Sequence, residues 1–77
     1  MQSNHSYIDA TEYLINDDSN IYDAMSIIEK GEERICFIVN KNKHLLKVIT
    51  DGDIRRALLK NRGLMDKVID IHNGKPI

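Results

Sequence analysis

The pattern of apolar and polar positions predicts two strands joined by a tight turn in the middle of the chain. Residues 35–39 are apolar without interruption, which is typical of a strand covered on both faces. A polar turn at residues 40–43 follows, and a second apolar run extends over residues 45–50. Two β-rich runs on either side of a short polar turn predict a hairpin.

Helical spacing occurs on both sides of this hairpin. Before it, apolar residues recur at i, i+3, i+4 and i+7, the spacing of one helix face: Ile21, Ala24, Met25 and Ile28. Three residues that can cap the start of this helix come directly before it: Asp18, Ser19 and Asn20. After the hairpin, a second helix is predicted from about Ile54 to Lys60, followed by further apolar anchors at Leu64, Met65, Val68, Ile69 and Ile71.

A short apolar step at residues 13–15 predicts one more strand, so the element order is β-α-β-β-α. This order predicts an α+β fold with a small sheet packed on two helices. Residues 1–10 are polar without a period, and we expect them to form a tail or lead-in to a single domain over residues 11–77. A chain of this length buries only about 60–65% of its unfolded surface, so we expect a partner surface to add stability.

Composition and charge exclude several function classes. The net charge of −1 offers no general attraction to nucleic acid or to anionic lipid, and no apolar run is long enough to span a membrane. A single cysteine, Cys36, and the lack of a secretion signal both suit the cytoplasm. No nucleophile has an identifiable base and no histidine pair has zinc spacing, so we expect neither catalysis nor a metal site.

The predicted junction between the last strand and the second helix concentrates the polar chemistry. Thr50 and Asp53 have the spacing of a capping box, with Asp in place of the usual Glu or Gln, which is worth about 1 kcal/mol of helix stability. The same groups also suit a ligand, because helix N–H groups and a hydroxyl can bind phosphate while a carboxylate can accept from ribose hydroxyls. Arg55 or Arg56 can neutralise phosphate charge. The pattern leaves both interpretations open.

This junction resembles the signature of a CBS (cystathionine-β-synthase-type) domain. The stretch LLKVITDGDIRRALLK, residues 45–60, carries the resemblance, and the β-α-β-β-α order agrees over residues 11–77. YLINDDSNIYDAMSIIEK, residues 13–30, further resembles the start of CBS pairs ahead of sugar nucleotidyltransferase domains, whereas TDGDIRR also resembles the CBS pairs of sugar-phosphate isomerases. HNGKPI, residues 72–77, resembles the lead-in to a second CBS motif.

The resemblance implies a non-catalytic regulatory module that is the first half of a CBS pair from a longer protein. Such pairs form clefts that bind AMP, ADP, ATP or related nucleotides and control an attached enzyme, here a sugar nucleotidyltransferase. No other cofactor is implied. By the same resemblance, Thr50 contacts phosphate, Asp53 holds the ribose and an arginine assists, while the base pocket falls near Ile15, Ile35 and Cys36.

One position departs from the family pattern. The family commonly has Gly where this chain has Lys47, and a long cation there would either fill the cleft or add positive charge to it. The expected partner is a second CBS motif, or a second copy of the chain in a homodimer that imitates the pair. The alternative that the sequence leaves open is a module that only dimerises or packs on an enzyme, without a ligand.

Overall fold

The computed structural model describes residues 10–71, and three strands and two helices account for most of them. Along the chain these are β1 (Leu14–Asn16), α1 (Ile21–Lys30), β2 (Ile35–Val39), β3 (Leu45–Thr50) and α2 (Asp51–Leu59). Two short 3-10 helices lie at Ala10–Tyr13 and Val68–Asp70. The predicted β-α-β-β-α order and the small α+β fold are confirmed. The predicted features of residues 1–9 and 72–77 lie outside the described residues.

The sheet has the order β1-β2-β3, with β1 parallel and β3 antiparallel to the central strand. The predicted hairpin is confirmed, since Cys36 pairs with Ile49 and Phe37 pairs with Val48. A register shift follows Ile38, which pairs with Lys47. Because neighbours across a sheet share a face, this register decides which side chains lie on each side.

The two faces of the sheet differ in burial. One face is packed against the helices, and its side chains join the hydrophobic core: Ile15, Cys36, Ile38 and Ile49. The other carries Leu14, Ile35, Phe37, Val48 and Thr50, and we call it the open face. The apolar residues named here are half-buried, whereas Val39, two residues beyond Phe37 along β2, is 3% exposed. Within residues 10–71 a helical layer covers only one face of the sheet, so the cover predicted for the second face of β2 stays a prediction that depends on a partner.

Each helix begins at a reciprocal capping box. At α1, the Asn20 side chain accepts from the Asp23 N–H at 2.9 Å, and the Asp23 carboxylate accepts from the Asn20 N–H at 3.2 Å. Among the three predicted caps it is thus Asn20 that is used. The second helix begins at Asp51, earlier than the predicted start near Ile54, because the cap formed by Thr50 admits the following residues into the first turn.

Residues 64–71, which we call the exit segment, follow α2 and run back across the start of α1. The carbonyls of Leu64 and Asp66 accept from the first two N–H groups of α1 at 3.0 and 2.9 Å. Val68 and Ile71 are buried as predicted. Leu64 and Met65 were predicted as anchors, but they are 44% and 77% exposed: Leu64 meets α1 through its carbonyl, and the Met65 sulfur accepts from the Asn20 side chain at 3.6 Å.

Candidate functional site

The junction between β3 and α2 is a closed hydrogen-bond network. The Thr50 hydroxyl accepts from the Asp53 N–H at 3.1 Å, and the Asp53 Oδ2 accepts from the Thr50 N–H at 2.9 Å. This reciprocal pair satisfies two of the backbone N–H groups at the helix start. The capping box predicted from the sequence is confirmed, and Thr50 itself remains exposed.

Asp53 is a buried polar residue, only 7% exposed. Its second oxygen, Oδ1, accepts from the Arg56 guanidinium at 2.7 Å. Burial opposes the charged form of Asp53, but hydrogen bonds from the Thr50 backbone, from Arg56 and from the Thr50 hydroxyl outweigh it and lower the pKa of the carboxyl. Asp53 is therefore ionised at neutral pH with both oxygens engaged.

Arg55 and Arg56 lie on different sides of α2. Arg55 donates to Asp51 at 3.2 Å in an exposed pair, whereas Arg56 covers the buried Asp53. The structure thus brings Arg56, and not Arg55, to the capping box. Since both guanidinium groups are well exposed, each can move without disturbing the core.

The three residues predicted near a base pocket do not share one environment. Ile35 lies on the open face, where it pairs with Thr50 across the hairpin. Ile15 and Cys36 lie on the helix-packed face and are 9% and 0% exposed. Burial raises the pKa of the Cys36 thiol to about 12, so this side chain is neutral and inert at neutral pH. Their roles as ligand contacts stay predictions.

A cleft beside β1 lies away from the junction. Its volume is about 520 Å³, and its lining consists of Thr11, Leu14, Ile15, Asn16, Val39 and Lys43. Ile15 therefore borders a cleft to which neither Thr50 nor Asp53 contributes.

The open face supplies apolar surface beside Thr50 that the sequence analysis did not single out. Leu14 pairs with Phe37 and Phe37 pairs with Val48, so one half-buried side chain from each strand lies in a row across the sheet. The Tyr13 ring covers part of this row, meeting Phe37 edge-on with 6.3 Å between ring centroids. Alternation along each strand was the available signal, because Val48 lies two residues before Thr50 on β3 and Phe37 lies two residues after Ile35, which pairs with Thr50.

Lys47 does not lie on the open face. It pairs with Ile38, a core residue, and its ammonium donates to the carbonyl oxygens of Ile69 and Ile71 at 2.8 and 2.7 Å. The lysine that stands in place of the family's usual Gly therefore points toward the exit segment. A cleft formed on the open face would not be filled by it.

Within the described part of the chain, no group of His, Cys, Asp and Glu side chains is arranged to hold a metal ion. Over the same residues, no helix is both long and apolar enough to cross a membrane.

Comparison with known proteins identifies a family and relatives that are similar to this chain. Residues 9–60 match the family model described as CBS domain. Two uncharacterized proteins from different strains of Helicobacter pylori are 42% and 40% identical over 53 residues, which is 66% of this chain and 16% of each relative. The chain thus spans about a sixth of the length of these curated relatives.

A solved structure shares the fold. Staphylococcus aureus OpuCA superposes with a TM-score of 0.64 at 21% sequence identity, over 80% of this chain and 50% of that chain. At this identity the likeness shows the fold alone.

Proposed function

The chain belongs to the CBS domain family, and on that premise we propose that it is a regulatory module that senses a nucleotide. It pairs its open face with a second CBS motif or a second copy, binds an adenosine nucleotide or a related nucleotide at the Thr50 end of that interface, and modulates an attached enzyme. We propose a sugar-phosphate nucleotidyltransferase as that enzyme, with a sugar-phosphate isomerase as the other candidate.

The observation that carries this proposal is the apolar open face that ends at an exposed helix cap. Leu14, Phe37 and Val48 are half-buried in the chain alone, and none of them belongs to the core cluster. Fully burying an exposed side chain of this size is worth about 1.5–3 kcal/mol, and since these three are already half-buried, a partner that covers the row gains only the part of that free energy that belongs to their remaining exposed area. A cleft at the edge of that interface would include Thr50 and its neighbour Ile35.

The chemistry at the junction suits a phosphorylated sugar. The Thr50 hydroxyl is exposed and can rotate toward a phosphate oxygen. A carboxylate has about four acceptor positions, and the bonds of Asp53 to Thr50 and Arg56 occupy two of them. The guanidinium of Arg56, with five donors, can swing outward to pair with phosphate. Opening of the Arg56–Asp53 pair is the step that would admit a ribose.

A ligand-free packing module is the second candidate, and the closed capping box favours it. Thr50 and Asp53 hydrogen-bond to each other, and Arg56 covers the remaining carboxylate oxygen. A contribution to folding stability alone would therefore explain why Thr50, Asp53 and Arg56 stand at these positions. The two functions therefore differ in whether a nucleotide stabilises the folded chain.

Thermal unfolding against millimolar AMP, ADP, ATP, GTP, CTP and S-adenosylmethionine tests the proposal. A ligand at ten times its dissociation constant adds about 1.4 kcal/mol to the free energy of unfolding. For a domain of this size, that raises Tm by roughly 5–10 °C. The Thr50→Asp variant keeps an N-cap and sets a carboxylate against phosphate, so we expect it to fold and to lose the shift.

The other capping box provides the matched control. Asn20→Ala removes the cap of α1 and lowers Tm in the absence of nucleotide, but it should keep the full ligand-induced shift, because Asn20 lies outside the proposed site. A shift of equal size in Thr50→Asp would refute the site. If no nucleotide moves Tm at concentrations where the chain is associated, either the ligand-free module is the function or the site needs a second CBS motif, and the same experiment on a longer chain that carries this motif decides between them.

A further inference from the structure

Lys47 occupies an unusual place for a lysine. It lies inside β3, on the face packed against the helices, directly opposite the fully buried Ile38. The side chain is only half-buried, since its apolar stem runs along the core while its ammonium reaches the edge of the helical layer.

Within the described residues, the Lys47 ammonium binds backbone oxygens and no carboxylate. Among residues 10–71 the ion pairs are those of Arg55 and Arg56, whereas Lys47 donates to the carbonyls of Ile69 and Ile71 at 2.8 and 2.7 Å. Charge-assisted hydrogen bonds of this length are stronger than neutral ones. The two carbonyls lie at the end of the 3-10 helix Val68–Asp70, where a cation also complements the aligned peptide dipoles.

The exit segment is held at two separate points. Its first part is tied to α1, where Ile21 N–H donates to Asp66 and Val68 N–H donates to Ser19, both at 2.9 Å. Its last part is held by the buried Ile71 side chain, by Lys47 and by a longer contact of 3.3 Å from Arg62 to the Asp70 carbonyl. The chain continues from Ile71 to residue 77.

We propose that Lys47 is a latch that keeps residues 69–71 docked on the domain. Opening the latch releases this part of the exit segment while α1, the sheet and residues 64–68 stay folded. The latch acts whether or not a nucleotide binds, so it stands independently of the proposed ligand site. It also connects residues 69–71 to β3, the strand that ends at Thr50.

Hydrogen exchange of single amides tests the latch in the full 77-residue chain. The amides of Asp70 and Ile71 report on the 3-10 helix, because they donate to Lys67 and Val68. In Lys47→Met, which keeps the apolar stem and removes the donors, we expect these two amides to exchange at least tenfold faster. The Ile38 amide in the centre of the sheet should change much less.

Two control variants sharpen the result. Lys41→Met removes an exposed cation from the turn of the same hairpin and should leave the exchange of all these amides unchanged. Lys47→Arg keeps donors on a long side chain and should restore part of the protection. Equal acceleration of exchange at Ile38 and Ile71 in Lys47→Met would mean that Lys47 adds only to global stability. Unchanged exchange at Ile71 would mean that the bonds of Lys47 do not keep residues 69–71 docked. Either result overturns the latch.

A measurement on the native chain covers the case in which Lys47→Met does not fold. Nitrogen-15 NMR of lysine ammonium groups should give a more slowly exchanging signal for Lys47, because its two bonds are partly buried, and a rapidly exchanging one for the exposed Lys41. If the Lys47 ammonium exchanges as fast as that of Lys41, the latch does not exist.

Discussion

Asp53 is a buried carboxylate, and hydrogen bonds from neighbouring groups stabilise its ionised form. The backbone N–H of Thr50 and the guanidinium of Arg56 each donate to one carboxylate oxygen. Because Asp53 is only 7% exposed, these two donors supply much of the stabilisation of its charge in the folded chain. The same carboxylate is the predicted ribose ligand, so binding and stability compete for it.

Acid is expected to destabilise the domain through Asp53. Burial alone would raise the pKa of this carboxyl, but the bonds from Thr50 and Arg56 lower it below its ordinary value of 3.8. A lowered pKa in the folded state means that the contribution is complete above the unfolded pKa and is lost as the pH falls through the folded one. Urea unfolding at pH 7 and at pH 3 should therefore show a larger loss in the native chain than in Asp53→Asn.

The expected difference between these two losses is on the order of 1 kcal/mol, the scale of one capping interaction. Asp51→Asn is the control, because Asp51 pairs with Arg55 on the exposed side of the same helix. Equal losses in the native chain and in Asp53→Asn would show that the buried carboxylate does not respond to pH as the structure requires.

At the scale of elements, the end of α2 depends on one residue in a left-handed conformation. Asn61 has φ 72°, its N–H donates to the Leu58 carbonyl and the Arg62 N–H donates to the Ala57 carbonyl, both at 3.1 Å. These two bonds form a Schellman motif, which turns the chain back toward the core. The exit segment takes its direction from this turn.

Substitutions at Asn61 should separate the effect of backbone conformation from that of side-chain contacts. Asn61→Ala is expected to lower the free energy of unfolding by about 1 kcal/mol, since alanine adopts the left-handed conformation at a cost, whereas Asn61→Gly should be neutral or stabilising. Urea midpoints check both. Asn42→Ala, in the exposed hairpin turn, serves as the control, and an Asn61→Ala variant as stable as the native chain would contradict this account.

The sequence predicts the elements better than it predicts their surroundings. Helical spacing and turn residues are local, so α1, the hairpin and the capping box at Thr50 follow from them. Burial is not local. The exposure of Leu64 and the half-covered Phe37 depend on which elements pack nearby, and an apolar residue alone does not say whether its partner lies in the same chain.

The candidate site, too, can be predicted from the sequence only in part. The Thr50 and Asp53 pair is visible as a motif, but the choice between Arg55 and Arg56 needs the helix phase and the depth of Asp53. Lys47 lies inside an apolar run, which marks it as unusual. Its carbonyl partners at Ile69 and Ile71 come from a segment more than twenty residues away, and no spacing rule connects them.

At the scale of the whole molecule, one face of the sheet is covered by the helices and the other is the open face. Its helices bury Ile38 and Ile49 completely, while the row from Leu14 through Phe37 to Val48 is only half-covered. Stable interfaces bury about 1,200–2,000 Å² in total, and a sheet face of this kind supplies the apolar centre that they need. We therefore expect the isolated chain to associate through this face.

Sedimentation equilibrium of the native chain and of Phe37→Asp tests this account most directly. We predict that the native chain forms dimers as its concentration rises, and that Phe37→Asp stays monomeric because a charge in the centre of the interface has no partner. Tyr22→Asp, which alters a side chain 58% exposed on the helical side, should dimerise like the native chain. A native chain that is monomeric at all concentrations, or a Phe37→Asp variant that dimerises equally well, would contradict the account.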